Sequence, residues 1–261
     1  MPPEFSEAPE PQTEARHLPW GPISAITITL SVYFGSQFLA GFVISLYPVI
    51  KGWTNQQATN WLTQSVYGQF FFIVLAETIT LWLLWWFLKH RRARPSQIGL
   101  KKPRLIDSIY ALAGFGVYFG IYISALGLLQ RLVPHLNTGQ KQDLGFSTTT
   151  AGPALIAVFV SLVLLPPLVE EIVARGFLYT GLRSKLPKVA AAVITSLLFA
   201  AAHLQFGTGK TLLWAAAVDT FILSLVLVYL RDKTDRLWAP IMLHMLKNGI
   251  AFVSLFVLHL T

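Results

Sequence analysis

"PPLVEEIVARGFLY", residues 166–179, lies inside an apolar run that extends over about 151–181. Within it stand three charges, Glu170, Glu171 and Arg175, shortly after two prolines, Pro166 and Pro167. The run is long enough to cross a hydrocarbon core, which needs about 20 helical residues. A charge at the centre of such a span costs about 2.5–3.5 kcal/mol on insertion scales. The segment therefore reads as a spanning helix whose charges serve a purpose.

The rest of the chain agrees with a membrane setting. Its 261 residues are 54% hydrophobic and 12% charged, with a mean hydropathy of +0.57. Soluble domains carry about 25% charged residues. Further apolar runs cover about 22–50, 69–88, 106–133, 188–206, 211–230 and 237–260. The expectation is an all-α, polytopic bundle of about seven transmembrane helices, forming a single domain over 21–261. A Pro- and Glu-rich stretch over 1–20 reads as a disordered cytoplasmic tail. Between the first two runs, residues 51–68 read as an interfacial helix carrying Trp53 and Trp61. With no cysteine, neither a disulfide framework nor a thiolate metal site can form.

Cations set the expected orientation. "KHRRARPSQIGLKKPR" (89–104) holds seven Lys/Arg. Arg183, Lys185 and Lys188, then Arg231, Lys233 and Arg236, fall in the other loops on that side. Opposite loops hold Lys51, Arg131, Lys141 and Lys210. The positive-inside rule places the N-terminus in the cytoplasm and the C-terminus outside. The net charge of +8 is thus read as topology. Nucleic-acid binding would gather cations on one surface with aromatics between them, so the expected partner is the lipid bilayer and no nucleic acid.

The ionisable residues within spans differ in kind. Glu77 and Asp219 read as polar groups that glue helices together. Lys247 reads as snorkelling or paired with an acid such as Asp219, and His259 as interfacial. Glu171 and Arg175 stand at i and i+4 with the acid first, the favourable order for an ion pair. Glu170 is turned about 100° from Glu171 and so looks elsewhere for a partner. "FAAAH" (199–203) sets Phe199 and His203 one turn apart, and "HMLKN" (244–248) does the same for His244 and Asn248. Counted along the helices from the cytoplasmic side, Glu170 lies about 20 Å deep, His203 about 24 Å, and His244 and Asn248 about 11–17 Å. One carboxylate, two histidines and an amide could share a cavity. Together they supply a general base, a second proton carrier and hydrogen-bond donors.

"EEIVARG" (170–176), "FAAAH" and "LWAPIMLHMLKN" (237–248) resemble the three motifs of the CPBP family of intramembrane endopeptidases. These are the CAAX prenyl proteases and their bacterial, Abi-like relatives. The resemblance covers about residues 150–250 and implies a catalytic core there. It implies that Glu170 activates the attacking water, that His203 is its partner, and that His244 and Asn248 stabilise the oxyanion. Glu171, Arg175 and Phe199 are then supporting residues. Glu170, His203 and His244 are also of the types that bind zinc. There is no H-E-x-x-H spacing, however, and the resemblance favours a metal-free, glutamate-driven mechanism without a cofactor. Two departures stand out: Ala174 replaces a larger residue before Arg175, and Lys247, a cation, adjoins Asn248. Pro166 and Pro167 are expected to bend the helix and free carbonyls just before Glu170, or to mark a helix start at Pro167.

The reading is an integral, multi-pass enzyme of a bacterial inner membrane that cleaves a peptide or protein substrate at the membrane. Two others compete with it. A proton-coupled transporter could use the same Glu and His as a relay, although inverted repeats are not visible. A non-catalytic scaffold or bacteriocin-immunity-type protein could keep the fold alone. The sequence carries no sign of the native substrate or the oligomeric state.

Overall fold

A computed structural model describes residues 18–135, 137, 140, 144–147, 149–204 and 212–260. Most of the expected tail 1–20, the cations Lys141 and Lys210, and most of the connection 204–210 lie outside the described residues. Among the described residues there is no strand and there are eight helices: α1 Pro22–Ile50, α2 Asn55–Gln64, α3 Val66–His90, α4 Leu105–Leu132, α5 Ala154–Arg183, α6 Lys188–Ala202, α7 Trp214–Thr234 and α8 Trp238–Val257. Six of them, all but α2 and α6, are long and apolar enough to cross a membrane. The chain is an integral, multi-pass membrane protein.

The fifth apolar run departs from expectation. Its helix, α6, has 15 residues, or about 22 Å of rise, against about 30 Å of hydrocarbon. It starts behind Pro187 and ends at His203, which caps it with φ −95° and ψ 0°. A short α2 does form between α1 and α3, started by a reciprocal cap between Thr54 and Gln57. Trp53 and Trp61 pack there against each other and against Tyr47 of α1.

The loops that hold most of the cations meet at one end. Lys101 pairs with Asp235, Lys188 with Asp232 at 2.9 Å, and Arg236 donates to the Lys102 carbonyl at 2.6 Å. Trp20, ahead of α1, donates to the Phe177 carbonyl at 3.3 Å. Cβ-less Gly181 makes room there, since a Cβ would lie 2.6 Å from the Trp20 indole nitrogen. The end expected in the cytoplasm is thus a single knot of loops.

Burial sorts the spans into layers. Only 17%, 22% and 11% of the apolar windows of α1, α3 and α4 are buried in protein, against 44% for α5 and 56% for α7. The first three present side chains such as Phe34, Phe38 and Leu112 outward, which suits lipid. α5 and α7 form the centre, with α6 packed along α7, and α8 against α4, α5 and α7. The charged motif of α5 is therefore enclosed by protein.

Candidate active site

The prolines neither start a helix nor break one. α5 runs continuously from Ala154 to Arg183, but with two wide turns. In the first, over Val160–Leu164, the Leu165 N–H reaches back five residues to the Val160 carbonyl. In the second, over Ile172–Leu178, the Tyr179 N–H bonds the Ala174 carbonyl in the same way. Such i→i+5 bulges inside α-helices recur at functional sites. Here they bracket Pro166, Pro167, Glu170 and Glu171. The expected freed carbonyl is present, held in a bulge with no break in the helix.

The expected ion pair forms. Arg175 Nη1 donates to Glu171 Oε1 at 2.9 Å, and both side chains are fully buried. The guanidinium also lies 4.1 Å above the ring of Phe199, which α6 brings over it. This cation–π contact is worth about 2 kcal/mol when desolvated. It matters because Arg175 Nε and Nη2 make no hydrogen bond among the described residues.

His244, from α8, bridges the two glutamates. Its Nδ1 lies 2.9 Å from Glu171 Oε1, and its Nε2 lies 3.9 Å from Glu170 Oε2. An ionised carboxylate can only accept, so Nδ1 carries the proton and donates to Glu171. Glu171 Oε1 thus accepts from Arg175 and His244 together. Glu170 keeps 31% of its side chain exposed, and its Oε2 has no hydrogen-bond partner among the described residues. The expectation that Glu170 stands apart from the Glu171–Arg175 pair holds in the geometry.

His203 enters through Phe199. Its Nδ1 lies 2.8 Å from the Phe199 carbonyl, which fixes Nδ1 as the donor and leaves Nε2 as the basic nitrogen of the neutral ring. The Phe199 ring lies 5.0 Å from the His203 ring and 6.0 Å from that of His244. Phe199 thus touches Arg175, His203 and His244, which is more than a supporting aromatic was expected to do. Asn248, one turn beyond His244, donates from Nδ2 to the Leu162 carbonyl at 2.9 Å.

The other buried charges are placed elsewhere. Lys247 lies 3.0 Å from Asp219 Oδ2, and Tyr118 donates to Asp219 Oδ1. Of the two readings weighed for Lys247, pairing is the observed one. No hydrogen bond or ion pair joins Glu77, read as helix glue, to another described residue. Among the described residues no three His, Asp or Glu side chains converge as a metal-binding set, so Glu170, His203 and His244 are not gathered in that way.

Fold and site define a polytopic helical membrane protein with a buried glutamate–histidine centre at the meeting of α5, α6 and α8. Residues 152–250 match the family model described as Type II CAAX prenyl endopeptidase Rce1-like. The chain is also 27% identical over 244 residues to the membrane-embedded CAAX protease MroQ of Staphylococcus aureus (strain USA300), covering 88% of each protein. An uncharacterized 24.3 kDa protein of Escherichia coli is 34% identical over 95 residues, 36% of this chain and 42% of that one. No solved structure matches. The match over residues 152–250 and the similarity to MroQ support a CAAX-type intramembrane protease, a hydrolase.

Proposed function

We propose that the protein hydrolyses a peptide bond of a membrane-associated protein with water activated by Glu170. Peptide hydrolysis needs an activated water, charge stabilisation at the carbonyl oxygen and a proton for the leaving amine. Glu170 takes a proton from water, and the hydroxide adds to the carbonyl carbon. His203, through Nε2, is the second proton carrier. The proton reaches the amide nitrogen as the C–N bond breaks, leaving a carboxylic acid and an amine. His244, oriented by Glu171, is the donor to the oxyanion in its imidazolium form, in which Nδ1 holds Glu171 and Nε2 carries the second proton. A preorganised donor of this kind is worth about 2.7–4 kcal/mol.

One observation carries this reading. Glu171 is fully buried and its Oε1 holds both Arg175 and His244 Nδ1, each at 2.9 Å, while the neighbouring carboxylate, Glu170, is half-buried and open on one side. Of two adjacent glutamates, one is committed to positioning and one is free for chemistry.

Cleavage of a quenched peptide library by the purified protein in detergent tests the proposal, comparing wild type with Glu170→Gln, each with and without a chelator. Cleavage that is lost in the variant and kept in chelator supports the glutamate mechanism. Loss in chelator would replace it with a metal-dependent one. A Glu170→Gln protein that cleaves as fast as wild type would refute it. Proton-driven uptake by reconstituted vesicles would move the reading to a transporter.

A further inference from the structure

We infer that Asn248 is a positioning residue: its side-chain amide replaces the hydrogen bond that Pro166 and Pro167 deny to the Leu162 carbonyl, and so fixes the turn that aims Glu170. The inference deepens the proposed function and rests on it only for the role of Glu170.

In an α-helix the Leu162 carbonyl would accept from the N–H of residue 166, and in a wide turn from that of residue 167. Both are proline, which has no N–H. The next closest donor, the Leu165 N–H, is already bonded to the Val160 carbonyl. Leu162 is thus left without a backbone donor in any helical register. An unsatisfied carbonyl at membrane depth is costly, and irregular backbone persists there only when something satisfies it. Asn248 Nδ2 does so at 2.9 Å. Chemistry fixes which end of the amide faces the carbonyl, because an oxygen there would meet an oxygen.

The contact sits on one side of the proline pair, and the His244–Glu171 bond at 2.9 Å sits on the other. α8 therefore grips α5 at two points, one turn apart on α8, with Pro166 and Pro167 between them. Beside Asn248, Gly249 faces Val163, with its Cβ position an ordinary packing distance of 3.7 Å from Val163 Cγ1. With the Asn248 contact gone, the helix can pivot at the prolines, and Glu170 moves relative to His244.

The test combines Asn248→Ala, Pro166→Ala and the double variant, with Pro167→Ala as a second way to restore an N–H donor. Hydrogen–deuterium exchange over residues 163–171 and the separate kcat and KM values for a cleaved peptide are the readouts. Asn248→Ala is expected to speed exchange in that segment and to lower kcat about 10- to 100-fold with KM little changed, the scale of a small misplacement of reacting groups. Returning a donor at residue 166 or 167 should restore protection and recover kcat relative to Asn248→Ala alone. Unchanged exchange in Asn248→Ala, or double variants no better than the single one, overturns the inference and leaves Asn248 as a group that acts on substrate directly. The exchange readout stands even if no peptide is cleaved, so failure of the protease reading and failure of this one are told apart.

Discussion

Two ionic clusters lie inside this bundle, and they are built differently. At the junction of α4, α7 and α8, Asp219 uses both carboxylate oxygens, one for Tyr118 and one for Lys247 at 3.0 Å. Charge and hydrogen-bonding capacity are matched there. At the junction of α5, α6 and α8, Arg175 pairs with Glu171 and leans on Phe199, yet oxygens of both glutamates and two guanidinium nitrogens bond nothing among the described residues. Buried polar groups in native proteins are almost always satisfied. A cluster that closes on itself explains its own presence as helix glue. A cluster with unspent capacity costs stability, and its retention is reasonable where chemistry uses it.

The strongest way to break this contrast is Glu170→Gln. The substitution keeps size and removes the base, so cleavage should fall about 10²–10⁴-fold while the thermal midpoint in detergent stays near that of wild type. If Lys247→Met produced the same loss, the two clusters would not divide into chemistry and structure. Arg175→Met should act mainly on folding. It strands Glu171 as a fully buried carboxylate, and breaking such a pair costs about 3–5 kcal/mol. A chemical-denaturation curve that barely shifts would show that the Arg175–Glu171 bond does not hold α5 together.

Lys247→Met is the milder counterpart. Lys247 and Asp219 keep 27% and 18% of their side chains exposed, and polar contacts between membrane helices are worth about 0.6–2 kcal/mol. A loss of that size is expected, with cleavage per folded molecule unchanged. Adding Asp219→Asn should recover most of it, since the stranded charge is then gone. A loss of cleavage in Lys247→Met at full stability would move Lys247 into the active site.

Much of this arrangement could be read in advance, for physical reasons. Lipid thickness forces long apolar runs, so the six long helices were visible in composition. The Glu171–Arg175 pair follows from helical spacing, and the separate standing of Glu170 from the turn angle between neighbours. The illegible parts depend on tertiary packing. Two prolines look like a helix start, whereas α5 absorbs them in a wide turn because Asn248, 82 positions after Pro166 in sequence, takes up the orphaned carbonyl. Spacing also could not tell which glutamate His244 would bond, since both lie within reach of one imidazole. The shortness of α6 was hidden because the apolar composition of the fifth run continues to Phe206, past the point where His203 caps the helix.

The smallest expected effect lies at the aqueous edge, where a third cluster gives the comparison an outer reference. Asp235 ends α7 in a left-handed conformation at φ 51° and accepts from Lys101 and from Arg231, the latter at 3.1 Å. Burial raises its affinity for a proton, but the hydrogen bonds and charges of Lys101 and Arg231 outweigh burial and hold its pKa below the ordinary 3.8. A lowered carboxylate pKa stabilises the folded chain above the unfolded value, and that stability disappears as pH falls through the folded one. Stability should therefore decline below about pH 4, and Asp235→Asn should flatten that part of the curve while lowering the plateau at neutral pH slightly. Half of the Asp235 side chain is exposed, 52%, so salt should screen this cluster and leave the Arg175–Glu171 pair, with no exposure, unaffected. Thermal midpoints measured against pH and against salt, for Asp235→Asn beside wild type, would show whether the edge cluster is as weak as its exposure implies. A salt-insensitive midpoint difference between the two proteins would place Asp235 with the interior pairs instead.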